Sequence, residues 1–151
     1  MHQSEIKEMC LELLKTAPAA YVTSIGADGY PYTRAMFNLR NVEQFPKQSA
    51  FHNGQDFTIL LSTNTSSLKV AQMEHNARVS IYYCQPSCFQ GFMLSGNIEI
   101  VQEQDIRHAL WEDGWERYYP QGMDDPDYTV LRLQPGYMTG WLQGTKFKLD
   151  L

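Results

Sequence analysis

No apolar run in this chain approaches the roughly 18 residues that a membrane-spanning helix requires, so no membrane association is expected. The opening Met-His-Gln-Ser-Glu lacks a basic stretch followed by an apolar one and does not read as a secretory signal. Cysteine is sparse. Cys10, Cys84 and Cys88 are an odd number in a chain this size, which fits free thiols in a reducing compartment and places the protein in the cytoplasm. Cys84 and Cys88 have no second pair and no nearby histidine, so no metal site is expected. Basic charge is also scarce. Twelve Lys and Arg stand against seventeen Asp and Glu, the net charge is −5, and no basic run or stripe forms, which excludes a nucleic-acid surface. Internal repeats and low-complexity segments are absent. Small molecules or protein remain as partners.

What is present is 151 residues, enough for one domain over 1–151 that buries about two-thirds of its unfolded surface without metal or disulfide staples. Ser4 reads as an N-cap, and Ile6, Met9, Cys10, Leu13 and Leu14 form the apolar stripe of a helix ending before Pro18. Ala20–Ile25 reads as a strand, and Ala27-Asp28-Gly29 turns it into a second running from Tyr30 to Asn41. Residues 41–55 suggest an irregular connection. Asp56–Ser62 has two apolar faces, Phe57, Ile59 and Leu61 against Leu60, as a strand inside a barrel would. A helix from about Ser66 to Asn76 follows, then strands Ala77–Cys84 and Phe89–Val101, the latter with Gly96 where a bulge is tolerated. A helix is expected over 103–118, then strands Tyr128–Leu133 and Gly136–Leu142. Six to seven strands joined mostly by short turns, with three marginal helices, predict a mainly β fold, a small antiparallel barrel.

The stretch Leu60–Lys69, Leu-Leu-Ser-Thr-Asn-Thr-Ser-Ser-Leu-Lys, is where chemistry concentrates. A helix N-terminus leaves about four N–H groups unpaired and carries roughly half a positive charge, so it can hold an anion. Thr63, Ser66 and Ser67 offer hydroxyls and Lys69 a full charge; the alternative is that Thr65 or Ser66 merely caps the helix. Upstream, Arg34 lies in Thr-Arg-Ala-Met-Phe, an arginine within an apolar and aromatic strand, and calls for a partner.

Taken in order, these motifs resemble the FMN-binding split barrels related to pyridoxamine 5′-phosphate oxidase, in the branch of small general-stress-type flavoproteins. The pieces are Asp28-Gly-Tyr-Pro31, Thr33-Arg-Ala-Met36, Ser62–Lys69, His75-Asn-Ala-Arg-Val79, Ser95-Gly96, Leu110-Trp111, Tyr118–Pro126, Leu131–Pro135 and Gly140-Trp141, spanning residues 5–142. The resemblance implies an antiparallel split barrel of Greek-key type and a homodimer with two flavin sites at its interface. It implies FMN, or FAD, with Arg34 and Lys69 on the phosphate, Ser67 donating to it, Ser62 and Thr63 near the ribityl chain and ring edge, and the Met36 backbone facing the ring. It further implies that Trp141, and Gln90 or Gly91, reach the flavin from the second subunit.

Departures from the oxidase pattern narrow the function. Ser67-Leu68-Lys69 stands where the oxidase has Ser-Arg-Lys, and the oxidase's Arg-Pro-x-x-Ser and terminal Arg-x-His elements, which hold its pyridoxal phosphate substrate, have no counterpart here. The expectation is a flavin-dependent oxidoreductase that does not act on pyridoxamine phosphate. Its small-molecule substrate and electron acceptor are not legible, and no residue is assigned as catalytic. Two other readings stand beside it: a flavin carrier or sensor without turnover, and a haem-binding split barrel, for which His52 is the one candidate ligand.

Overall fold

The chain alternates its apolar residues at two periods, and the computed structural model, which describes residues 1–151, follows them. Its strands form one antiparallel sheet: β1 (Ala20–Ile25), β2 (Pro31–Met36), β3 (Ile59–Asn64), β4 (Arg78–Gln85), β5 (Gln90–Ile100), β6 (Tyr128–Leu142) and β7 (Thr145–Asp150). The order across the sheet is β2-β1-β4-β5-β6-β3, with β7 also paired to β6. The sheet curls into a half-barrel with β2 and β3 as its two ends. The four helices are α1 (Gln3–Thr16), α2 (Pro46–Phe51), α3 (Leu68–His75) and α4 (Gln104–Ala109), one more than expected because α2 lies inside the connection 41–55. None is long and apolar enough to cross a membrane.

Strand alternation divides the interior into two cores. Ile59 and Leu61 of β3, with Leu131 and Leu133 of β6, face the main core beneath α1, where Cys10 and Leu14 meet Val22, Ile81 and Phe92. Leu60 and Val130, one residue out of phase, face a second core built from Leu39, Phe45, Leu110, Trp111, Trp115, Tyr119 and Tyr128. The two apolar faces expected for β3 therefore serve different cores.

Several boundaries differ from the sequence expectation. His2, not Ser4, is the N-cap of α1, and the Glu5 carboxylate accepts from the His2 N–H at 3.1 Å. The helix expected over 103–118 stops after Ala109, and Gly114 takes φ 96° before a 3₁₀ turn at Trp115–Arg117. That left-handed residue redirects the chain so that Trp111 and Trp115 enter one core instead of lying along a helix face. The two strands expected over 128–142 are one, because Pro135 sits where β5 and β6 shift register at Ser95/Gly96 and its missing N–H breaks no regular ladder. A side chain at Gly96 would come within 2.9 Å of the Gln134 carbonyl. The unanticipated β7 follows a tight turn with φ 47° at Gln143 and 77° at Gly144, the positive pair that a two-residue hairpin turn requires.

Candidate functional site

A barrel that fails to close leaves two edge strands, each with backbone groups that no neighbour satisfies. Here β2 and β3 flank a cleft of about 690 Å³ lined by Arg34, Ala35, Met36 and Phe37 from the first edge and Ser62, Thr63 and Asn64 from the second. Lys69, in the first turn of α3, closes one side. The fold thus brings together five of the eight residues named from the sequence: Arg34, Met36, Ser62, Thr63 and Lys69.

Arg34 pairs across the ladder with Val22, so its side chain lies on the core-facing side of β2. Its Nη1 donates to the Ser24 hydroxyl at 2.8 Å and the Val22 carbonyl at 3.3 Å, and its Nη2 donates to Gln72 Oε1 at 3.2 Å. Every one of these partners is neutral. Lys69 Nζ donates to Thr63 Oγ1 at 3.1 Å. Neither cation forms an ion pair; the salt bridges of the molecule lie elsewhere. Burial lowers the Lys69 pKa, and the nearby Arg34 charge lowers it further; burial also lowers that of Arg34. Two half-buried, mutually repelling cations without a carboxylate between them form a site whose electrostatics favour an anion.

The start of α3 adds to this. Ser67 is the N-cap, and the N–H groups of Leu68, Lys69 and Val70 have no acceptor within the chain. The loop before them is held by Asp127, whose carboxylate accepts from Asn64 Nδ2 at 2.9 Å and the Ser66 N–H at 2.8 Å; these bonds hold its pKa below the usual carboxylate range. Of the hydroxyls expected as ligand donors, Ser62 and Thr63 line the cleft and Ser67 is spent on the fold, as is Thr65, the alternative cap. Ser67 donates to the Asn64 carbonyl at 2.7 Å, and Thr65 donates to the Pro126 carbonyl at 2.8 Å. Ser67 accordingly starts the helix and does not line the cleft.

Gln90 and Trp141 line a separate cleft of about 490 Å³, with Tyr82, Cys84, Phe89 and Gly91. In a single copy they do not join Arg34 and Lys69.

The far wall of the first cleft went unrecognised in the sequence. Trp115, Tyr118 and Tyr119 line it together with Phe37, and Phe37 stacks on Trp115 at 6.1 Å with ring planes 11° apart. The signal that could have revealed this wall was Gly114, whose positive φ turns the chain into the 3₁₀ segment Trp115–Arg117 that carries it.

The histidines take no part. His52 Nδ1 donates to the Gln48 carbonyl at 2.9 Å, and its Nε2 accepts from the Leu60 N–H at 3.3 Å. Burial, chiefly, pushes its pKa down to about 4. With both ring nitrogens engaged in the fold, His52 does not suit the role of axial haem ligand. His108 is paired with Asp124 at 2.7 Å on the surface. Among tyrosines, Tyr83 is fully buried in the main core and burial raises its pKa.

Comparison with known proteins places this arrangement. A family model described as pyridoxamine 5′-phosphate oxidase matches residues 6–142. A protein from Clostridium acetobutylicum related to general stress protein 26 of B. subtilis, of the pyridoxinephosphate oxidase family, is 30% identical with a TM-score of 0.80, over 99% of this chain and 97% of that one. General stress protein 26 from Bacillus anthracis shares the fold at 16% identity and TM-score 0.75, over 97% of this chain and 99% of that one. A heme binding protein from Mycobacterium smegmatis shares it at 15% identity and TM-score 0.69, over 99% of this chain and 59% of that one. No curated protein matches. An antiparallel split barrel, a family match across nearly its whole length and a general-stress relative at 30% identity make this chain a member of the pyridoxamine 5′-phosphate oxidase family.

Proposed function

We propose that this protein binds FMN in the cleft between β2 and β3 and is a flavin-dependent oxidoreductase that does not act on pyridoxamine phosphate. The observation that carries the reading is the pair Arg34 and Lys69, two cations with only neutral partners, beside the three unpaired N–H groups of α3. A phosphate monoester, with close to two negative charges, is the ligand group such a site suits best. The cleft continues from these cations between the edges of β2 and β3 to the ring wall of Phe37 and Trp115, which suits a flat aromatic group attached to the phosphate.

When bound, FMN supplies the two-electron redox chemistry, and the chain supplies position and electrostatics. Arg34 and Lys69 anchor the phosphate, Ser62 and Thr63 sit beside the path from phosphate to ring, and the Met36 backbone lies on the edge of β2. FAD is the other flavin that carries phosphate to such a site. The His52 geometry speaks against a haem reading in the manner of the mycobacterial relative.

The second copy belongs to the same proposal. Tyr21, Tyr82, Met93 and Thr139 follow one another across β1, β4, β5 and β6 and share one face of the sheet. Tyr82 and Trp141 are exposed there, and Phe89 is 84% exposed at the neighbouring turn. A homodimer through this face would cover these rings and let Gln90 and Trp141 reach the partner's flavin.

Purified protein should be yellow or bind added FMN with quenching of flavin fluorescence. Replacing both Arg34 and Lys69 with alanine should weaken FMN binding about 100-fold or more, since each charged contact is worth about 1.5–3 kcal/mol. Wild-type protein that ignores FMN, or a double variant that binds it undiminished, would overturn the assignment. Turnover is tested separately by whether reduced nicotinamides reduce the bound flavin faster than free FMN.

A further inference from the structure

Arg34 is oriented by a buried polar pair. Ser24, at the end of the inward-facing series Ala20, Val22, Ser24 on β1, is fully buried, and Gln72 of α3 is 6% exposed. The Ser24 hydroxyl donates to Gln72 Oε1 at 2.5 Å and accepts from Arg34 Nη1 at 2.8 Å, while Gln72 Oε1 also accepts from Arg34 Nη2 at 3.2 Å. The directions of these bonds are forced. Arginine has only donors, so Gln72 must turn its oxygen toward it, and the Ser24 hydroxyl closes the ring as acceptor from one and donor to the other. Ser24 and Gln72 thus span the Nη1 and Nη2 ends of the guanidinium. The Nε–H and one Nη2–H remain unassigned.

An arginine half-buried on a barrel wall ordinarily gains most from a carboxylate, which would hold it as well and cancel its charge. Here the same position carries an amide. We propose that Gln72, acting with Ser24, is a positioning residue that fixes Arg34 without neutralising it, and so makes the site discriminate for phosphate-bearing flavin over phosphate-free flavin. This rests on the reading of Arg34 and Lys69 as the phosphate anchors. Gln72 itself touches no ligand in this account. It acts through Arg34.

The test compares FMN with riboflavin, which carries the same ring and ribityl chain without phosphate. Dissociation constants are measured by fluorescence titration of the full chain for wild type, Gln72→Glu and Gln72→Met, with urea unfolding of each variant as the control for folding. Gln72→Glu supplies Arg34 with a countercharge. It should unfold no more easily than wild type, yet its preference for FMN over riboflavin should fall about tenfold or more, with riboflavin affinity unchanged. Gln72→Met keeps the volume and adds no charge, and its preference should fall by less than that of Gln72→Glu. A folded Gln72→Glu variant that keeps the wild-type preference overturns the inference. Should that variant fail to fold, an unchanged preference in Gln72→Met overturns it instead. The outcomes separate the two levels. Wild type without any preference for FMN refutes the phosphate site itself, whereas wild type and Gln72→Glu with the same preference refute only the role of Gln72.

Discussion

His52 makes the fold sensitive to mild acid, over a range set by its surroundings. Its Nε2 accepts from the Leu60 N–H on the edge strand β3, so it must be neutral to do so, and its Nδ1–H goes to the Gln48 carbonyl within α2. Burial, aided by the Arg40 charge and opposed by the Gln48 carbonyl, lowers its pKa from 6.5 to about 4. The unfolded chain therefore takes up a proton near pH 6.5 that the folded chain refuses until about pH 4. Stability from this group is complete above pH 6.5, declines as pH falls through that interval, and is level below it. At about 1.4 kcal/mol per pH unit the interval is worth at most about 3 kcal/mol. Urea unfolding of wild type and His52→Gln, followed at fixed pH values between 7.5 and 4, measures it. The wild-type stability should fall toward acid pH, and the variant, though weaker at neutral pH, should show a distinctly flatter profile. Equal slopes for the two proteins would show that His52 does not hold its neutral form in the fold, and the reasoning fails.

Two further predictions concern packing. Trp111 is 2% exposed and meets Tyr128 edge-on at 5.2 Å and Trp115 edge-on at 5.9 Å, so Trp111→Ala should cost about 3–5 kcal/mol in urea unfolding. It should also weaken FMN binding by loosening the Trp115 wall. Gly140→Ala would place a methyl 2.5 Å from the Gly91 carbonyl and should destabilise the β5–β6 ladder by about 1–3 kcal/mol, while Gly136→Ala, with open space around it, should have far less effect.

Much of this molecule could be read along the chain. Period-2 alternation identified β1, β4 and β5, and the Asp-Gly turn joined β1 to β2, because these features depend on residues close in sequence. Arg34 and Lys69 stood out for the same local reason, a cation interrupting an apolar strand and another opening a helix. Where local signals competed, the reading slipped. Pro135 looked like a strand end until the bulge opposite Gly96 removed the need for its N–H, and the aromatic run after Leu110 looked helical until Gly114 adopted a positive φ. The turn at Gln143-Gly144, with Phe147 and Leu149 alternating behind it, was a local signal for β7 that went unread.

The Leu60–Lys69 stretch shows how the remainder divides. The sequence by itself determined that an apolar strand would run into a polar loop and a helix opening on lysine, since composition and spacing suffice for that. Only the tertiary structure decided which groups were left to meet a ligand. Asp127, 61 residues away in the chain, took the Ser66 N–H, Ser67 spent its hydroxyl on Asn64, and the first three N–H groups of α3 remained unpaired. It also decided that β2 and β3, with β1 and the sheet between them in strand order, would be the two open edges that face each other across one cleft. Pairing partners and leftover donors are properties of a closed hydrogen-bond account, and that account is settled between segments distant in sequence.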